Sequence, residues 1–323
     1  MGGADGVRVR RLLRLCGRNR RDAQASVPGR SRDRGRSRRV SGGASVNILN
    51  ASGCLDALAA PGVVAALDGF VTKTVTPDAR VGNQPARIAE TSHGMLNAIG
   101  LANPGRDAFL RDYLPELRSF GKPLWVSVGG FSASEYAETC ALLTDVTIEI
   151  NLSCPNVDEA PESAAEIVAA CRAATTLPLY AKLSPAAWDI AEVARAVEAA
   201  GADGLTLVNT LRGMALDRRL RPVLNRGTGG YSGPSLRPVA LAAVYACRRA
   251  TALPIVGMGG ITTGREALEM IACGATAIAL GTVLFADPDA PARVRHELDE
   301  ALAEAGFGNA DDAVGAAHET VAM

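Results

Sequence analysis

The chain has 323 residues, 48% of them hydrophobic, which is enough for one large core or two modest ones. Its 34 basic and 34 acidic side chains cancel unevenly: residues 1–45 hold 13 Arg and 3 Asp, leaving 21 basic and 31 acidic groups elsewhere. Such a mildly acidic body excludes a broad basic nucleic-acid face, and no run reaches the roughly 18 apolar residues of a membrane span.

Residues 1–44 are rich in Arg, Gly and Ser and are expected to form a disordered extension. A transit-type targeting peptide and a nucleic-acid arm are the other readings of that composition. The seven cysteines are scattered with no C-x-x-C pair, so this chain alone is expected to build no zinc or iron–sulfur site. Dispersed thiols in odd number suit a reducing, cytoplasmic setting.

From Ser45 to about residue 306, short β-rich runs alternate with segments of helical period. The runs are Val46–Ser52, Gly69–Val75, Pro123–Gly130, Val146–Cys154, Leu177–Pro185, Gly204–Thr210, Leu253–Gly260 and Thr276–Val283. Helices are predicted at Asp107–Ser119, Ser134–Leu143, Ala164–Ala174, Asp189–Ala200, Arg237–Ala250 and Gly264–Cys273. In the fourth of these, Ile190, Val193, Ala194, Val197 and Ala200 fall on one stripe, as packing on a barrel wall requires. Eight strand–helix units favour an α/β fold of the closed (β/α)₈ TIM-barrel type, spanning 45–307 and followed by a C-terminal tail at 308–323.

In such barrels the chemistry sits where the strands end. Those ends carry Ser52, Lys73-Thr74, Ser127, Asn151 to Asn156, Lys182, Asn209-Thr210, Gly259-Gly260 and Gly281-Thr282. The glycines after strands seven and eight have the form of a phosphate site, in which backbone N–H groups and following helix N-termini face an anion; ordinary tight turns are the plainer reading. Cys154 stands at a strand end between Ser153 and Pro155 with no His or Asp beside it in sequence. That setting favours a base acting on a weakly acidic C–H over an acyl-transfer nucleophile. Lys73 and Lys182 are two of only three lysines in the chain, and both end apolar runs. Each could serve as a Schiff-base amine or as a fixed cation beside an anionic reduced cofactor.

Three motifs then resemble one family: Asn151-Leu152-Ser153-Cys154-Pro155-Asn156, the run Gly94 to Leu101, and Gly229 to Pro234. Together they resemble class 1 dihydroorotate dehydrogenases, nearest the B type, over about residues 46–307. The resemblance implies FMN at the barrel mouth, held by Ser52, Lys73, Thr74, Ser127, Asn151, Lys182, Val208, Gly233, Gly259, Gly260, Gly281 and Thr282. It implies that Lys73, Asn97, Ala98, Ile99, Gly100, Leu101, Asn151, Asn156, Asn209 and Thr210 hold dihydroorotate, with Cys154 as the base for C5 while hydride leaves C6. It further implies a homodimeric core and, if NAD is the acceptor as in the B type, an electron-transfer subunit carrying FAD and a 2Fe–2S cluster; fumarate, the acceptor of A-type homodimers, would need none.

This sequence departs from the family pattern in three places. Ser127 stands where the family usually has Asn, the loop at 158–161 is abbreviated, and no hairpin is recognisable before the first strand. Two rival readings follow: a dihydropyrimidine dehydrogenase-type flavoenzyme acting on uracil or thymine, and a non-catalytic FMN-binding subunit.

Overall fold

The computed structural model describes residues 46–152 and 161–319. The expected Arg-rich extension, Cys154 and Asn156 therefore lie outside the described residues.

Eight parallel strands form one sheet: β1 (Asn47–Asn50), β2 (Phe70–Val71), β5 (Leu124–Val128), β6 (Thr147–Asn151), β7 (Leu179–Leu183), β8 (Gly204–Leu207), β11 (Ile255–Met258) and β12 (Ala277–Leu280). Their spatial order is β1-β12-β11-β8-β7-β6-β5-β2. Every predicted run thus contains a strand, each shorter than its run, and the polar and glycine residues that end most of the runs lie in the βα loops.

The two faces of these strands build two separate cores, as the period-two alternation of a strand demands. Ile48, Phe70, Val126, Ile148, Ile150, Ala181, Leu205, Ile255 and Ile278 pack in the larger cluster with helix residues such as Val168, Val197 and Val244. Leu49, Val71, Val256, Met258 and Ala279 form a smaller one inside the barrel, against which Trp125 and Tyr180 pack. The Trp125 and Tyr180 ring centroids are 4.5 Å apart, filling the interior with aromatic volume.

The ring closes between β1 and β2 largely through side chains. The Asn50 carboxamide accepts from Val71 N at 2.9 Å and donates to Val71 O at 2.8 Å, so it serves as a surrogate strand partner. Asp68 extends the seam: its N–H donates to Ile48 O, and its carboxylate accepts from Ile48 N at 2.7 Å. Arg295 clamps that carboxylate from outside at 2.5 Å.

The outer layer comprises α1 (Pro61–Ala66), α2 (Arg106–Ala108), α3 (Leu114–Arg118), α4 (Ala133–Ala141), α5 (Pro161–Ala174), α6 (Ile190–Ala199), α7 (Arg237–Ala250), α8 (Gly264–Ala272), α9 (Val283–Ala286), α10 (Ala290–Glu304) and α11 (Ala310–Ala313). The stripe predicted on α6 buries Val193, Ala194 and Val197, with Ile190 and Ala200 packed at its ends. Asp189 caps that helix through Ala191 N and Glu192 N, satisfying two otherwise orphan donors. The single helix predicted at 107–119 is instead α2 and α3 joined by a π-helical turn, Phe109–Tyr113, with Pro115, which has no N–H, just past the junction. Periodicity did not single out α1 or α10.

A second, antiparallel sheet was not predicted. It has the order β3-β4-β10-β9, from Ile88–Thr91, Gly94–Asn97, Gly229–Ser232 and Leu211–Gly213. Two of the three family-like motifs are its central strands, paired Gly230↔Asn97, Tyr231↔Leu96 and Ser232↔Met95. Beyond α10, Gly315 N donates to Ile271 O, and the His318 ring stacks on Tyr245 with centroids 4.0 Å apart.

Candidate active site

The carboxyl ends of the strands converge on one polar network. Thr74, just past β2, lies 3.0 Å from the Ser127 hydroxyl on β5 and accepts from Asn151 Nδ2 on β6 at 3.1 Å. Asn151 Oδ1 in turn accepts from Asn209 Nδ2, beyond β8, at 3.1 Å. Four sequence-predicted residues from four strands are thereby linked, and three of them, Thr74, Ser127 and Asn151, are buried. The Asn209 side chain also accepts from Thr210 N at 2.8 Å, which fixes its carbonyl.

Ser127 therefore fills its place at the rim as part of the protein's own network, wholly buried, with Thr72 Oγ1 accepting from its N–H at 3.2 Å. Lys73, next to Thr74 in sequence, is half-buried. On the far side, Lys182 donates through Nζ to Ser52 Oγ at 2.8 Å. The third lysine, Lys122, is tied to Ala65 O and Leu67 O before β5 begins, at the other end of the barrel.

The second sheet carries the 97–101 run to the same rim. Asn97 Nδ2 donates to Gly230 O at 3.3 Å, and a Cβ on Gly230 would lie 2.1 Å from Thr210 Oγ1. Only a residue without a side chain lets β10 sit between Asn97 and Thr210. Asn83 holds the backbone of the run, its N–H donating to Ile99 O and its amide to Ala98 O. Asn103 ties Leu101 O to Thr76 with two bonds of 2.7 Å.

The glycine rim differs from the expectation in one respect. The N-terminus of α8 is closed by its own capping box, in which Thr263 and Glu266 bond reciprocally, while Glu297 accepts from Gly264 N. With those donors taken and α9 only one turn long, an anion here would be held by loop backbone rather than by helix ends. Gly259 and Gly260 have φ of +120° and +81°. A Cβ on Gly260 would lie 2.9 Å from Arg237 and from Gly233 O, so the fold itself needs that glycine. Gly281 is different: its φ is ordinary, and an added Cβ would meet nothing nearer than Ala51 Cβ at 3.7 Å. Among the described residues that Cβ would make only ordinary contacts, the second with Cys54 Sγ at 3.8 Å, so their packing does not require glycine at 281. Val208 and Gly233 are buried beside this rim, Val208 Cγ2 lying 3.3 Å from a Cβ built on Gly259.

Two contributors escaped sequence reading. Glu149, within Thr147-Ile148-Glu149-Ile150-Asn151, is fully buried beneath the rim, 3.5 Å from Lys182 Nζ. A lone carboxylate in an aliphatic strand was the signal that could have found it. Tyr136 on α4 donates to Asn151 O at 2.7 Å and so fixes the end of β6. Nothing in the sequence distinguishes that tyrosine from a core residue. The three histidines lie in the β3–β4 turn, on α10 and after α11.

The family profile described as dihydroorotate dehydrogenase matches residues 44–302. The chain is 45% identical to the dihydroorotate dehydrogenase B (NAD(+)) catalytic subunit of Desulforudis audaxviator over 269 residues, 80% of this chain and 88% of that protein. It is likewise 45% identical over 262 residues to the subunit of that name from Trichlorobacter lovleyi, covering 77% and 86%. Against that of Geobacillus kaustophilus the identity is 40% over 266 residues, covering 79% and 85%. With an eight-stranded barrel, a polar rim and this similarity along most of its length, the chain belongs to the dihydroorotate dehydrogenase family.

Proposed function

We propose that this chain is the FMN-bearing catalytic subunit of a B-type dihydroorotate dehydrogenase and oxidises dihydroorotate to orotate in pyrimidine biosynthesis. The observation that carries this reading is the linked Thr74–Ser127–Asn151–Asn209 rim lying above a lysine, in a chain that its relatives match over about four-fifths of its length.

The residues present fit FMN. Gly281, where the described packing does not call for glycine, and the positive-φ Gly259-Gly260 turn suit a phosphate approached by backbone N–H groups. Ser52, Lys73, Thr74, Ser127, Asn151, Lys182, Val208, Gly233 and Thr282 complete the set that would hold the cofactor. Bound FMN would supply the acceptor for the hydride that leaves C6 of the substrate.

The chain's own residues do the rest. Asn97, Asn151, Asn156 and Asn209 offer amide donors and acceptors matched to a ring of alternating N–H and C=O groups, with Thr210, Lys73 and the 98–101 backbone around them. Three of these amides already hold one another or backbone carbonyls, so they are oriented before substrate arrives. Cys154 takes the C5 proton as general base. Reoxidation by NAD would pass through a second subunit carrying FAD and a 2Fe–2S cluster, for which this chain's scattered cysteines supply no ligand set. We place the protein in the cytoplasm with a homodimeric core; no described helix is long and apolar enough to cross a membrane.

Anaerobic titration of the yellow protein with dihydroorotate tests the reading. Bleaching of the flavin is expected with dihydroorotate and not with dihydrouracil. The reverse selectivity would assign the chain to the dihydropyrimidine class, and no bleaching by either would make it a non-catalytic flavin-binding subunit.

A further inference from the structure

Glu149 has no role in the reading above. Its side chain is completely buried and Lys182 is 5% exposed, so an ion pair stands inside the barrel. Burying both charges costs several kcal/mol each in desolvation, and a well-packed apolar pair in their place is often as stable or more so. Stability therefore gives no reason to keep them. The geometry is specific: Asn151 is in register with Lys182, and Lys182 with Thr206, so three neighbouring strands set the carboxylate under the ammonium. Thr206 Oγ1 donates to Glu149 Oε2 at 3.1 Å and pins one oxygen, while Oε1 takes no hydrogen bond from the described residues and faces Lys182 Nζ at 3.5 Å. From above, Ser52 accepts from the same ammonium. The lysine is thus held between a hydroxyl at the rim and a carboxylate one layer deeper.

We propose that Glu149 acts on the cofactor site through Lys182, offsetting the charge of the ammonium that Ser52 holds at the rim. This inference rests on the FMN reading. Through the pair, the site presents a cofactor with a dipole of zero net charge rather than with a bare cation. At low effective dielectric, an uncompensated charge in a site is felt strongly by a redox group bound there, so the pair sets how far the site favours an added negative charge.

The test uses the full-length FMN-loaded protein and measures the two-electron midpoint potential of the flavin, with FMN affinity by fluorescence quenching in parallel. E149Q keeps the shape and leaves Lys182 uncompensated. Its equilibrium is expected to move at least tenfold toward reduced flavin, about 30 mV upward. The double variant E149Q/K182M removes both charges and leaves no buried ion unmatched; it is expected to bind FMN more weakly, having lost Lys182, while its reduction equilibrium stays within threefold of wild type. A potential that is unchanged or lower in E149Q overturns the proposal, because a carboxylate that merely props the lysine would act like its loss. Should E149Q not accumulate as folded protein, the double variant decides: a tenfold fall from wild type means that Glu149 offsets nothing. Wild-type protein that takes up no FMN would overturn the cofactor reading and this proposal together, whereas normal uptake with an unmoved potential overturns the proposal alone.

Discussion

The Lys182 ammonium donates to the Ser52 hydroxyl at 2.8 Å, although their strands, β7 and β1, are four places apart in a ring of eight. The lysine therefore reaches across the barrel mouth, and the two residues, 130 apart in sequence, meet only because the sheet closes.

That placement makes Lys182 costly to remove alone. Lys182→Met strands the buried Glu149 carboxylate and is expected to destabilise the fold by about 3–5 kcal/mol. Adding E149Q should restore most of the loss. Urea denaturation of the two single variants and the double one gives the coupling energy directly.

Closure itself depends on Asn50. Asn50→Leu keeps the volume but leaves Val71 N–H and C=O without their partners in a buried seam. At roughly 1–3 kcal/mol for each unsatisfied group, a loss of about 3 kcal/mol is expected. Hydrogen exchange should localise the opening to β1 and β2, with the β6–β7 ladder still protected; uniform loss of protection would contradict the seam's local role.

Gly281 and Gly260 should separate binding from folding. Among the described residues the Cβ of Gly281→Ala makes only ordinary contacts, so its denaturation midpoint should match wild type while FMN affinity falls at least tenfold, about 1.4 kcal/mol. Gly260→Ala, at φ +81° with Arg237 and Gly233 O only 2.9 Å away, should lose stability first. Isothermal titration with FMN beside urea melts checks both halves.

Catalysis should hinge on Cys154. Cys154→Ser leaves a far weaker base, and flavin reduction by dihydroorotate is expected to slow by about 10²–10⁴-fold in anaerobic stopped flow. FMN content should be unchanged, since no cofactor contact is assigned to that side chain.

Away from the site, Cys247 gives a pH signature. Burial first, and then the nearby Asp189 carboxylate, push its thiol up to about 12. An unfolded cysteine ionises near 8.5, so between about pH 8.5 and 12 the unfolded chain holds fewer protons than the folded one. Stability on this account falls as pH rises through that window and is fully present below it. Cys247→Ala should flatten this alkaline slope in melts taken from pH 8 to 11.

What the sequence determined by itself was everything written in local periodicity. Eight β-rich runs with helices between them favoured a closed barrel over an open doubly wound sheet, and reading the residues where each run ends placed Thr74, Ser127, Asn151, Lys182 and Asn209 on one rim, because strand ends of a parallel barrel share a face. Even the α6 stripe was legible, since the same 3.6-residue spacing that aligns Val193 and Val197 also decides what they touch. The tertiary structure alone decided who meets whom. Asn50 looks like any polar residue near a strand end until β2 arrives beside it, and Glu149 is an isolated acid until β7 and β8 bring Lys182 and Thr206 within reach. The second sheet was hidden for the same reason. Its central strands are more than 130 residues apart, four residues long and rich in glycine, so they carry almost no periodic signal. Pairing energy between distant segments, unlike burial of a repeating face, leaves no trace in either segment alone.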